Sequence, residues 1–88
     1  MASGLGNLYG TVSDGEGGKL PGATALLSGL GAPQVQTTNA QGQFRFLDLP
    51  YGTYSVEVEL EGFWTRDYPK VVIDSEDVQL EVILSPAT

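Results

Sequence analysis

The sequence predicts an all-β fold, a seven-stranded antiparallel sandwich of two sheets. Three observations lead there. Apolar residues recur at every second position in several short runs, and no stretch repeats them at helical spacing over three turns. Twelve glycines and five prolines punctuate these runs at short intervals. The runs number about seven, and an 88-residue chain with many short strands and frequent turns builds one sandwich.

The most informative stretch is Asn39 to Phe63. Asn39-Ala40-Gln41-Gly42 reads as a turn, because Asn tolerates and Gly favours left-handed backbone. Phe44 and Phe46 then alternate with Gln43 and Arg45, a strand with one dry face. Leu47 to Gly52 reads as a break, since Pro50 has no N–H for a ladder and Gly52 permits a reversal. Tyr54, Val56, Val58 and Leu60 alternate next with Ser55, Glu57, Glu59 and Glu61. A one-residue slip would bury carboxylates, so this register is firmly set. Taken alone, the two strands read as a central hairpin. Gly62 ends it, and Phe63 folds back over the core edge.

The other elements follow in chain order. Residues 1–4 are expected to be disordered. The start, Met1-Ala2-Ser3-Gly4-Leu5-Gly6, lacks the basic and apolar regions of a signal peptide and resembles an expression start on an excised domain. Leu5 to Ser13 is the first strand, with Leu8, Gly10 and Val12 on one face; Gly10 suits a strand only where something packs close, here a core aromatic. A Gly-rich turn over 14–19 leads past Pro21-Gly22 to a second strand, Ala23 to Ser28, with Ala23, Ala25 and Leu27 inward. Gln34 to Thr38 is a short third strand, with Val35 and Thr37 inward. Trp64 to Lys70 is expected to be irregular because of Pro69, so the sixth strand begins at Val71. Val78, Leu80, Val82 and Leu84 face inward on the last strand. One domain, 5–85, is expected, with 86–88 a tail or linker stub.

Composition narrows function. With no Cys and no His, there is no disulfide, no thiolate, and neither the usual general base nor the usual transition-metal ligand. A net charge of −7 with four basic residues argues against nucleic acid and anionic membrane surfaces. No apolar run reaches the roughly 20 residues of a membrane helix. Serines have no partner to activate them, and no Walker-type loop is present. No enzyme and no cofactor is therefore expected.

Taken in order, Gly10-Thr11-Val12-Ser13-Asp14, Leu20-Pro21-Gly22-Ala23-Thr24-Ala25-Leu26-Leu27, Thr37-Thr38-Asn39-Ala40-Gln41-Gly42-Gln43-Phe44, Leu49-Pro50-Tyr51-Gly52-Thr53-Tyr54-Ser55-Val56 and Glu61-Gly62-Phe63 resemble the carboxypeptidase regulatory-like domains. The likeness runs from about Leu8 to Leu84. It implies the Greek-key sandwich called prealbumin-like or transthyretin-like. It also implies an accessory module without catalytic residues. Such modules occur beside metallocarboxypeptidase domains, in bacterial secreted and surface proteins, and at the start of some TonB-dependent receptors. The expectation is thus an extracellular, cell-surface or periplasmic module, monomeric, whose partners are neighbouring domains. Gly22 and Gly42 would hold turns, Phe44 and Phe46 would fill the core, and Tyr54 would bond back to nearby backbone in a tyrosine-corner-like arrangement.

Candidate sites are few, and each has a plainer alternative. Trp64, with Tyr51 and Tyr68, would form an aromatic platform for a carbohydrate or peptide; the plainer reading has Trp64 capping the sandwich beside Phe63. Glu57, Glu59 and Glu61 lie roughly 7 Å apart along a strand face, which reads as solvated surface rather than one cation site. Asp14 with Glu16, and Asp74 with Glu76 and Asp77, are Asp-rich turns more than calcium loops. Leu26 and Ile83 point outward and would make a docking face if they share one. An internal Lys–Asn isopeptide bond is not expected, since Lys19 and Lys70 lie at loops and no Asn follows Asn39.

Overall fold

A computed structural model describes residues 4–87, and the residues 1–3 expected to be loose lie outside that range. Seven strands form: β1 (Leu5–Asp14), β2 (Thr24–Ser28), β3 (Gln34–Thr37), β4 (Gln43–Pro50), β5 (Gly52–Glu59), β6 (Arg66–Ile73) and β7 (Val78–Leu84). They make two sheets, ordered β4-β1-β7 and β3-β2-β5-β6. The alternation along each strand turns one face of each sheet into a shared core. Leu8, Val12, Phe44, Phe46, Leu49, Val82 and Leu84 come from the first sheet; Ala25, Leu27, Tyr54, Val56, Val58, Val71 and Ile73 come from the second.

The presumed central hairpin does not exist. β4 and β5 lie in different sheets, and Tyr51 alone separates them. Hairpins are closed by loops of two or more residues in defined turns. Here Pro50 offers no ladder donor, and the chain crosses from one layer to the other. The Tyr54 hydroxyl donates to the Pro50 carbonyl at 2.6 Å and holds this corner. The alternation survives because each strand still has one dry face, now on opposite walls of one core.

Three further expectations are corrected. β4 continues to Pro50 instead of breaking at Leu47. The ladder with β1 shifts between Gly6 and Leu8, so Asn7 faces two residues of β4. Asp48 sits at φ 59° in this bulge, and its N–H donates to Asn7 Oδ1 at 3.0 Å. Likewise β6 begins at Arg66 and contains Pro69. The β5–β6 register shifts between Tyr54 and Val56, and β6 is an edge, so a residue without N–H costs little there. Finally, β3 does not turn Val35 and Thr37 inward. Val35 pairs with Leu26 and Thr37 with Thr24, both outer-face residues of β2, and all of β3 is exposed.

All ladders are antiparallel except one: β1 and β7 run parallel, from Leu8–Val78 to Asp14–Leu84. Between β1 and β7 the chain crosses to the second sheet twice, returning once for β4 and again for β7, so no hairpin ties the two strands to opposite directions.

Candidate functional site

Gly10 faces the core, and the Phe44 ring occupies the place a Cβ would take. Phe44 and Phe46 meet edge-on, with ring centroids 5.8 Å apart. Gly22 and Gly42 both hold positive φ, 80° and 74°, and a Cβ on Gly42 would collide with the Val12 carbonyl. Gly52 lies against Leu30 at the β4–β5 corner. Thr38, not singled out in the sequence, locks the 20–23 turn: its hydroxyl donates to the Leu20 carbonyl (2.7 Å) and accepts from the Ala23 N–H (2.8 Å). Its place immediately before the Asn39–Gly42 turn signal was the only sequence hint.

The three candidate platform aromatics do not gather. Tyr51 sits at the corner before β5, beside Gly4. Trp64 follows β5, so roughly 25 Å of strand separates the two. Tyr68 pairs with inward-facing Val56 and packs on the core, with the Arg66 guanidinium carbon 5.7 Å from its ring centre. Arg66 donates to the Ile83 carbonyl of β7 at 3.2 Å, tying the two sheets at this edge. Phe63 packs on the core, but Trp64 does not cap it: Trp64 is 63% exposed. The backbone around Trp64 is nevertheless held. Phe63 bridges Pro86, the Trp64 N–H donates to the Ser85 carbonyl at 2.8 Å, and Ala87 N–H donates to the Gly62 carbonyl at 2.9 Å.

The acidic groups serve local structure. Asp14 Oδ1 accepts from the N–H groups of Glu16 and Gly18, both at 2.8 Å, and Asp74 Oδ1 accepts from Glu76 N–H at 3.1 Å. Asp77 accepts from the Asn7 side-chain amide at 3.2 Å. Among the described residues no three acidic groups converge as metal ligands. Glu57 lies directly across from Asp67, a like-charge pair. Leu26 and Ile83 belong to different sheets, so they lie on opposite outer faces and form no common patch.

A concave surface lies elsewhere. A groove of about 540 Å³ runs along the β4 edge, from the outer face of the first sheet to β3. Tyr9 stands in it between Arg45 of β4 and Gln79 of β7. Thr11, Gln43 and Gln36 extend its lining.

Seven strands in two layers closed over an aliphatic and aromatic core fit the transthyretin-like class of β-sandwich. Within that class the chain belongs to the carboxypeptidase regulatory-like domain family, whose model matches residues 7–85. No curated protein matches it. Among solved structures, the TIE protein of Bacillus anthracis is similar at 23% identity and TM-score 0.78, over 96% of this chain and 17% of that one. A putative carbohydrate binding protein of Bacteroides uniformis is similar at 20% identity and TM-score 0.73, over 94% of this chain and 42% of that one. The 5-hydroxyisourate hydrolase of Klebsiella pneumoniae is similar at 24% identity and TM-score 0.75, over 96% and 93%. This chain therefore spans less than half of each of the first two proteins.

Proposed function

We propose that this chain is a non-catalytic accessory and interaction module of a larger exported bacterial protein, working outside the cytoplasm beside neighbouring domains. The observation that carries this reading is the family match together with the small share of the Bacillus and Bacteroides proteins that the same sandwich occupies. The hydrolase neighbour is nearly all sandwich, so fold alone does not separate module from enzyme. Side chains favour the module: the buried cluster is aliphatic and aromatic, and its one titratable member, Tyr54, is engaged with the Pro50 carbonyl. A hydrolase panel on the purified chain is expected to give no turnover. Activity that one carboxylate substitution abolishes would overturn the proposal.

A second reading is favoured by the exposure of Trp64, a large aromatic on a firmly bonded backbone. It has Trp64 hold a carbohydrate or peptide without help from Tyr51 or Tyr68. Trp64 is the one tryptophan, so its fluorescence titrated against glycan and peptide panels reports on this directly. An unchanged spectrum across both panels rejects it.

A further inference from the structure

We propose that the groove along β4 is a binding site for an uncharged saccharide, with Tyr9 as its platform and Arg45, Gln43, Gln79 and Thr11 as its hydrogen-bonding wall. The argument begins with register. Tyr9 pairs with Arg45 on one side and Gln79 on the other, and Thr11 pairs with Gln43, so these residues share the outer face of the first sheet as two adjacent rows. Gln36 reaches the same groove from β3 of the other sheet. The volume, about 540 Å³, suits a short oligosaccharide rather than a macromolecular surface.

Charge then narrows the ligand. The chain holds eleven acidic residues; none is in the groove's lining, where Arg45 is the one charge, and Glu81, which pairs with Thr11 at the rim on the same outer face, offsets it. A cation would find one carboxylate, Glu81, on a face that also carries the Arg45 guanidinium. An anion would approach against a net charge of −7. What remains complementary is a neutral ligand dense in donors and acceptors. Amides offer both, hydroxyls offer both, and guanidinium offers a fixed fork of donors. A pyranose ring supplies the matching hydroxyls and an apolar face for Tyr9. Within the described residues, the side-chain hydrogen bonds engage Gln43 from this set and leave Tyr9, Thr11, Arg45 and Gln79 unengaged. Asn39 donates to Gln43 Oε1 at 3.3 Å, which leaves the Gln43 amide NH₂ to face a ligand.

This site is separate from Trp64. Ser85, which bonds Trp64, lies six residues beyond Gln79 along β7, roughly 20 Å away. The test is amide chemical-shift mapping on the 88-residue chain with cellohexaose, xylohexaose and maltohexaose, and oligogalacturonate as the anionic control. The expected result is that at least one neutral sugar shifts Tyr9, Thr11, Gln43 and Gln79. Arg45→Ala and Gln79→Ala, both on exposed positions, would each weaken that binding about tenfold, whereas Trp64→Ala would leave it unchanged. Tyr9→Ala is read only if its amide spectrum remains that of the folded chain. Shifts centred on Trp64, binding of the galacturonate alone, or no shift with any of the three neutral sugars overturns the proposal. None of these outcomes bears on the absence of catalysis, which the hydrolase panel tests by itself.

Discussion

Phe44 has two roles at once: it fills the core and occupies the space left by Gly10. Phe44→Ala should cost about 3–5 kcal/mol, a large share of a small domain's stability, and denaturant titration reads it directly. Thr38→Val removes two hydrogen bonds at once, one buried and one partly buried, and strands the Ala23 N–H and the Leu20 carbonyl. A loss of about 2–4 kcal/mol is expected, and a change under 1 kcal/mol would mean that water replaces the hydroxyl. Tyr54 gives a pH signature. Burial pushes its hydroxyl above the usual value of 10.0. The unfolded chain therefore releases this proton first, and stability that is complete below pH 10 declines as pH rises beyond it. Urea melts at rising alkaline pH should show that decline, and Tyr54→Phe should flatten it while costing about 1 kcal/mol at neutral pH.

At the scale of the element, edges explain where periodicity misleads. β4 and β6 each carry a bulge and a proline, the usual means by which an open edge avoids pairing with another chain. In β6 the bulge lets Pro69 stay in a strand, and β3 hangs far enough out that its face no longer meets the core. Val35→Lys should therefore lie within about 0.5 kcal/mol of the parent. Glu59→Ala should be equally mild, since Glu59 is exposed. The facing pair Glu57 and Asp67 makes the opposite prediction. Asp67→Asn should raise stability by about 0.2–1 kcal/mol at low ionic strength, and the gain should shrink as salt screens the repulsion.

Over the whole molecule, both sheets give one face to a single core and leave two outer faces of different character. The second sheet's outer face carries Glu57 and Asp67, whereas the groove on the first sheet carries amides, hydroxyls, Tyr9 and Arg45.

The existence of most strands and most of the buried core were legible in the residues themselves. Alternation, turn glycines and prolines are local signals, and they placed Leu8, Val12, Ala25, Phe46, Val58 and Leu84 inside before any contact was known. What lay beyond that reading was which strand stands beside which. Phe44 and Tyr54 face the same core whether their strands are neighbours in one sheet or walls of two, so a period of two is silent on the choice. The corner at Pro50, the parallel return of β7, the scatter of the three aromatics and the rows that place Tyr9 between Arg45 and Gln79 depend on contacts between residues far apart in the chain. Only packing of the complete sandwich decides those, because the free energy that selects them comes from closing the two layers together.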